Sequence, residues 1–216
     1  MSESEGVVKY RLDHRPDPLP PGTATDDLSH WFRRCRELGL IGRDPARYDG
    51  LAYGNISRRM ATGFLVSGTQ TGGFDHLGPD DLALVTTYDL EANSLQSRGP
   101  ARPSSEALTH AVIYSALAAV NAVIHVHAPA IWHQAAPLGL PGTPPDATYG
   151  TPAMARAVAR LLAADRAIPG LVVMRGHEDG VLAYGADLDS AGTLLLETRA
   201  RALACDRRHR TAGDAG

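Results

Sequence analysis

Lysine and cysteine are both scarce in this chain. Of the 21 basic residues, only Lys9 is a lysine and all others are arginines. Chemistry that runs through a lysine Schiff base is therefore nearly excluded. The two cysteines, Cys35 and Cys205, lie far apart and outside any paired motif, so the sequence indicates no disulfide framework.

Long apolar runs are also missing. No segment approaches the roughly 18 consecutive apolar residues of a membrane span, and the polar, proline-rich N-terminus has no signal-peptide core. The net charge is -3, and no basic stripe is interleaved with aromatic residues, which argues against a nucleic-acid or membrane surface. We therefore expect a cytoplasmic protein that acts on a small molecule.

The 216 residues, 44% of them hydrophobic, suffice for one sizeable core. We predict an extended leader over residues 1–24, one domain over 25–205 and a tail over 206–216. Within the domain, helical and strand patterns alternate, which indicates an α/β layered fold. We interpret "YGNISRR" as a turn and "NSLQSRGPARP" as a connection, and we expect Ser104 or Ser105 to cap a helix that follows them.

Two histidines interrupt an apolar run in the stretch "AVIHVHAPAIW". On a strand, residues i and i+2 face the same way, so His125 and His127 present two imidazoles together while Val126 points to the opposite layer. A zinc ion, or another divalent ion, usually takes a third protein ligand. His177 is a candidate because it follows the strand "LVVM" at a glycine-bounded turn. The alternative is a hydrogen-bonded pair of core histidines.

The segment "RPSSE" combines an anion site with an acid. Hydroxyl and backbone N–H groups at a helix N-terminus bind phosphate or carboxylate, which suits Ser104 and Ser105. Glu106 is either a proton-transfer group or an ordinary first-turn acid. "YGNISRR" and "VSGTQTGG" are rich in residues that also cradle oxyanions, with plain loops as the alternative.

Taken in order, G-N-I-S, S-G-T-Q-T-G, P-S-S-E, H-V-H and the later histidine resemble the class II aldolase/adducin family over about residues 25–205. The resemblance implies a single three-layer α/β/α domain with a central mixed sheet, and usually a homotetramer with active sites between subunits. It implies Zn²⁺, or another divalent ion, on His125, His127 and His177, with Glu106 as catalytic acid/base. The residues that it implies for phosphate are Asn55, Thr71, Gly72, Ser104 and Ser105.

The resemblance further implies retro-aldol cleavage of a ketose 1-phosphate, of the fuculose or ribulose phosphate type, into dihydroxyacetone phosphate and an aldehyde. Such cleavage leaves an enediolate that needs a lysine imine or a Lewis acid, and lysine is nearly absent here. The same scaffold also serves dehydratases, decarboxylases and 4-epimerases, and a non-catalytic adducin module without zinc ligands. Glu106 favours an aldolase, a dehydratase or a decarboxylase over an epimerase, because the epimerases resemble P-S-S-D at this position.

Two departures from the family pattern concern side chains at the expected site. Asp146 stands where a family tyrosine is proposed to reach a neighbouring active site, and Tyr149 lies close by, so we take both as candidate catalytic residues. The turn "RGHEDGV" replaces the usual H-H-G or N-H-G, and we interpret Glu178 and Asp179 as turn residues.

Overall fold

The computed structural model describes residues 8–213, with side chains through residue 207. Residues 1–7 of the predicted leader and 214–216 of the predicted tail lie outside this range. The strands are β1 Arg11–Arg15, β2 Gly42–Arg43, β3 Ala52–Tyr53, β4 Asn55–Arg59, β5 Phe64–Ser67, β6 Leu82–Asp89, β7 Ser94–Arg98, β8 Ala122–His127, β9 Gly170–Val173 and β10 Gly180–Gly185. The α-helices are α1 Asp26–Glu37, α2 Ala107–Ala116, α3 Pro129–His133, α4 Pro152–Ala164 and α5 Leu188–Gly213.

Eight of the strands form one sheet in the order β1-β7-β6-β5-β4-β8-β10-β9, and β2 pairs with β3 separately. The large sheet is mixed, because β1 runs parallel to β7 while the other neighbours are antiparallel. Helices α2 and α4 cover one face, and α1, α3 and α5 cover the other. The predicted three-layer α/β/α fold with a central mixed sheet is confirmed. The helices within residues 8–213 include no candidate membrane-spanning segment.

Strand β8 lies inside the sheet, between β4 and β10, and its residues are buried on both faces. Val123 joins the core under α2 and α4, whereas Ile124 and Val126 join the core under the other helices. Because side chains alternate along a strand, His125 and His127 share the face of Val123. The expected juxtaposition of the two imidazoles is therefore observed.

Part of the predicted leader is a strand of the main sheet. Residues Arg11–Arg15 form the edge strand β1, in register with β7. Just before it, the Tyr10 hydroxyl donates hydrogen bonds to the carbonyl oxygens of Ser104, at 2.8 Å, and Pro103, at 3.3 Å. The N-terminal segment thus fixes the backbone that leads into α2.

Three local predictions were wrong. Asn55–Arg59 is an interior strand rather than a turn, and Ser94–Arg98 is a strand rather than a connection. The second error has a clear cause: β7 alternates exposed polar with buried residues, and its polar composition hides that alternation. Helix α2 begins at Ala107 with Glu106 at the N-cap position, so neither serine occupies the cap. In addition, α5 continues through Gly213, past the predicted start of the tail.

Candidate metal centre and active site

Three imidazoles converge where β8 ends beside the turn between β9 and β10. The ring centroids of His125, His127 and His177 are 4.8 to 5.4 Å apart. One ligand nitrogen from each lies within 4.8 Å of the others, and the Nε2 atoms of His127 and His177 are 2.9 Å apart. Ligands of a tetrahedral zinc ion are separated by about 3.4 Å, so the three side chains have the spacing of a metal tripod.

The electrostatics of this cluster keep the imidazoles neutral. All three side chains are buried. Burial lowers the pKa of His127 to about 3, and it lowers the pKa of His125 and His177 well below the usual range, helped by the neighbouring imidazoles. Neutral imidazole is the form that binds metal ions. Nε2 of His125 is buried and has no hydrogen-bond partner within residues 8–207, as expected of a nitrogen whose partner is a metal ion.

Two neighbours hold the histidines in place. Asn55 is the register partner of His125 on β4, and Nδ2 of its side-chain amide lies 3.2 Å from Nδ1 of that histidine. With the amide turned so that Oδ1 faces Nδ1 and accepts its proton, Nε2 keeps the lone pair that a metal ligand needs. Gly180 leaves room for the third ring, because a Cβ atom there would lie 2.4 Å from Cδ2 of His177.

Glu106 lies fully buried at the N-terminus of α2. Its Oε2 accepts a hydrogen bond of 2.7 Å from the Thr109 hydroxyl, one helical turn later. Burial raises the pKa of Tyr10, and the nearby charge of Glu106 raises it further. A buried carboxylate is a suitable acid or base for proton transfer.

The two segments predicted to bind phosphate lie side by side. The N–H of Thr69 donates to the carbonyl of Arg102, and the N–H of Ser104 donates to the carbonyl of Ser67. These bonds bring the predicted turn and the start of α2 together. The predicted phosphate ligands are all buried, and they are Asn55, Thr71, Gly72, Ser104 and Ser105. Asn55 contacts His125 through its amide, and Thr71 donates to the carbonyl of Gly68.

Tyr149 and Asp146 have different surroundings. The Tyr149 ring packs edge-on against His177 with centroids 4.6 Å apart, and the Lys9 ammonium lies 3.7 Å from the centroid of the same tyrosine. The Asp146 side chain is exposed. The structure therefore brings Tyr149, rather than Asp146, against the histidine cluster of this chain.

Sequence reasoning missed a second group beside His127. The Tyr48 ring lies edge-on to His127, with centroids 4.4 Å apart. Its hydroxyl and Nη2 of Arg47 both donate to Oδ2 of Asp179, at 2.6 and 3.0 Å. Glu178 is exposed, so of the two turn carboxylates only Asp179 is drawn inward. No pattern in the sequence signals these contacts, because they join positions more than 130 residues apart.

A buried polar chain also adjoins the site. Ser57 Oγ lies 2.6 Å from Nδ1 of His110 and 2.7 Å from the Tyr114 hydroxyl. Burial lowers the pKa of His110 well below the usual range, and the neighbouring His125 imidazole lowers it further. His110 follows Glu106 by one helical turn, a spacing that could have signalled a second polar residue on the same side of α2.

Comparison with known proteins agrees with this geometry. The chain is 29% identical, over 76% of its own length and 76% of the relative's, to a 5-methylthioribulose-1-phosphate/5-deoxyribulose-1-phosphate aldolase of Escherichia coli O45:K1 (strain S88 / ExPEC). Its fold is similar to that of the L-fuculose-1-phosphate aldolase of Thermus thermophilus, with a TM-score of 0.65, 22% identity, and coverage of 88% of this chain and 96% of that one. A sugar-phosphate aldolase from Thermotoga maritima gives a TM-score of 0.59 at 14% identity, with coverage of 82% and 94%. The family model for the class II aldolase and adducin N-terminal domain matches residues 44–203, and the chain belongs to this family.

Proposed function

We propose that this protein is a metal-dependent class II aldolase that cleaves a ketose 1-phosphate into dihydroxyacetone phosphate and an aldehyde. The observation that carries the proposal is the buried cluster of three neutral imidazoles on the sheet face that α2 covers, with the buried Glu106 at the start of that helix. The relationship to a 5-deoxyribulose-1-phosphate aldolase supports a ketopentose 1-phosphate as the substrate.

The residues present suit a divalent ion, with Zn²⁺ as the proposed one. His125, His127 and His177 would hold it, leaving an open position as catalytic zinc sites do. When bound, the ion supplies a Lewis acid beside the carbonyl of the substrate. Asn55 would orient His125, and the packing of Gly180 would orient His177.

Glu106 would transfer the proton to the substrate carbon at which the bond breaks. In the cleavage direction, the bond between the third and fourth carbons breaks, and its electron pair stays on the dihydroxyacetone phosphate fragment as an enediolate. A protonated Glu106 then delivers a proton to the third carbon, and the hydroxyl on the fourth carbon becomes the aldehyde oxygen by losing its proton. Thr109 would hold the carboxyl in place through its hydrogen bond to Oε2.

Tyr149 and Asp146 are the proposed groups for the hydroxyl proton. Tyr149 has the stronger support within one chain, because its ring contacts His177. Asp146 is exposed and would act only on a neighbouring subunit, in keeping with the proposed homotetramer with active sites at its interfaces. The exposed Phe74, directly after the Thr71–Gly73 turn, is consistent with such an interface beside the site. Sedimentation velocity would measure the assembly directly.

The phosphate would be held by neutral donors. The hydroxyls of Ser104 and Ser105, the backbone around Thr71 and Gly72, and the amide of Asn55 form the proposed set. Backbone N–H and hydroxyl groups hold phosphate without lysine.

The test is release of dihydroxyacetone phosphate from a panel of fuculose, rhamnulose, ribulose and 5-deoxyribulose 1-phosphates. Zinc-loaded and chelator-stripped protein are assayed in parallel. We expect release that disappears on stripping and returns with zinc. Tightly bound metal without release from any substrate would contradict the aldolase and point to dehydration, decarboxylation or epimerisation.

Glu106→Gln separates the metal site from the chemistry. We expect this variant to retain zinc at the wild-type stoichiometry and to lose turnover by at least about 1,000-fold, since it cannot transfer a proton. Full activity would overturn the role of Glu106. A wild-type protein that binds no metal and gains no activity with zinc would instead support the non-catalytic adducin-like alternative.

A further inference from the structure

A compact group outside the predicted site joins two distant segments beside His127. It consists of Arg47, Tyr48 and Asp179, and we call it the arginine clamp. The Asp179 carboxylate accepts hydrogen bonds from both of the other side chains, and Arg47 also hydrogen-bonds the Tyr48 hydroxyl. Tyr48 in turn packs against His127 and against Tyr53. The clamp is therefore in contact with a predicted metal ligand.

The backbone of the clamp is strained. Within residues 8–213, five residues other than glycine have positive φ, and three of them are Tyr48, Asp49 and Asp179, with φ of 51°, 56° and 61°. A left-handed conformation is unfavourable for an ordinary residue, and it persists only where surrounding contacts impose it. Such strain clusters at functional sites. Two of these strained residues, Tyr48 and Asp179, are the ones whose side chains hydrogen-bond Arg47.

Arg47 is held at one end and accessible at the other. The Asp179 side chain is 8% exposed, whereas that of Arg47 is 37% exposed. The guanidinium lies 4.7 Å from the centre of the Tyr48 ring and 5.9 Å from that of Tyr53, so two aromatic rings support it. Within residues 8–207 its hydrogen bonds all use Nη2, which leaves the Nε and Nη1 donors for a ligand.

From these observations we infer that Arg47 binds an oxyanion of the substrate, with Asp179 and Tyr48 as its positioning residues. A planar guanidinium binds phosphate or carboxylate through paired, charge-assisted hydrogen bonds. The inference rests on the proposed function only in taking the substrate to be anionic. It adds a cation to a set of proposed phosphate ligands that are all neutral. Gly72 closely approaches the backbone of Tyr53, whose ring packs against Tyr48 of the clamp, so this set lies next to the clamp.

The first test is the division of the effect between KM and kcat. With 5-deoxyribulose 1-phosphate, we expect Arg47→Met to raise KM by about 10- to 100-fold, as for loss of a charge-assisted hydrogen bond, with kcat within about threefold. Arg47→Lys keeps the positive charge but lacks the planar, paired N–H donors of the guanidinium, so its KM should lie between those of the wild type and Arg47→Met. An unchanged KM in Arg47→Met would overturn the inference.

A matched control exists in the same sheet. Arg58 of β4 forms an ion pair of 2.8 Å with Asp27 of α1, which lies on the sheet face opposite the histidines. Arg58→Met removes an arginine–aspartate pair of the same kind, so it should leave KM within about twofold. Asp179→Asn should raise KM in the same direction as Arg47→Met while zinc content stays at the wild-type level.

The second test does not depend on turnover, so it separates this inference from the proposed function. The melting temperature of zinc-loaded protein is followed while inorganic phosphate or acetate is added at constant ionic strength. The rise in melting temperature gives an apparent affinity for each anion. If the affinity for phosphate is at least about tenfold lower in Arg47→Met than in the wild type, Arg47 contacts a phosphate group. If only the affinity for acetate falls in this way, Arg47 contacts a carboxylate. Equal responses of wild type and Arg47→Met to both anions would overturn the inference, whatever reaction the enzyme performs.

Discussion

Asn55 and His125 face each other across adjacent antiparallel strands, and the amide of the first touches Nδ1 of the second at 3.2 Å. An interior strand position therefore supplies the support of a proposed metal ligand. The backbone register fixes the distance between the two side chains, so the imidazole is oriented before any ion binds.

Asn55→Ala should weaken zinc binding by about 10- to 100-fold, because supporting hydrogen bonds of ligating histidines have effects of that size. Competition with a chromogenic chelator measures the affinity directly. Ser57→Ala, two residues along the same strand, is the control and should change zinc affinity by less than about threefold. Equal affinities of wild type and Asn55→Ala would show that His125 needs no support from Asn55.

Thr109→Val should reduce kcat by about tenfold or more, because it removes a hydrogen bond of 2.7 Å to the buried Glu106 carboxyl. Zinc content and KM should stay close to those of the wild type. Thr109→Ser, which retains the hydroxyl, should recover most of the rate. A Thr109→Val enzyme with wild-type kcat would remove Thr109 from the positioning of Glu106.

Gly180→Ala should displace His177, since the added methyl group would lie 2.4 Å from its Cδ2 atom. We expect lower zinc affinity, and destabilisation of about 1 to 3 kcal/mol from the steric conflict. Gly78→Ala is the control, because its nearest neighbour would be 3.6 Å away. Chemical denaturation and zinc titration of both variants check the two effects, and an unaltered Gly180→Ala protein would contradict the close packing.

Metal-free protein should lose stability as the pH falls below about 6.5, and His110 should account for part of the slope. Burial holds the pKa of His110 well below its unfolded value, with Ser57, Tyr114 and His125 around it. Below about pH 6.5 the unfolded chain therefore binds a proton that the folded chain does not, so the free energy of unfolding decreases by up to about 1.4 kcal/mol per pH unit.

Urea denaturation between about pH 5 and pH 7 measures this slope. His110→Asn should flatten it, whereas His30→Asn, at an exposed position of α1, should leave it unchanged. The comparison uses slopes rather than absolute stabilities, so a general loss of stability in His110→Asn does not affect it. A slope equal to that of the wild type would mean that His110 binds protons equally in the folded and unfolded states.

The sequence predicts those parts of the fold that depend on local pattern. The alternation in β8 places His125 and His127 on one face, and the sheet's two cores follow from it. Prediction from the sequence fails where the local composition of a segment does not match its environment in the fold. Asn55 follows a glycine, which is typical of a turn, yet it lies on β4, paired in register with His125 of the neighbouring strand, which its amide also contacts.

The clamp shows the second limit. Arg47 and Asp179 lie far apart in the sequence, and the pattern of hydrophobic residues does not predict that the fold brings them together. Taken alone, Arg47 is interpreted as a surface residue and Asp179 as a turn residue. The same holds for Tyr10, whose hydroxyl bonds to Ser104 across more than 90 positions. Motifs predict which residues carry chemistry, whereas the residues that position them emerge only from the packed structure.

The edge strand β1 has a consequence for how the protein must be handled. It covers one side of β7 along five residue pairs, and uncovered strand edges recruit other chains. Proteolytic nicking after Arg15 would release this strand together with Tyr10, so the same cut would make β7 the new edge strand and loosen the carbonyls of Pro103 and Ser104. An intact N-terminal segment is therefore a criterion of sample quality for any assay of this protein.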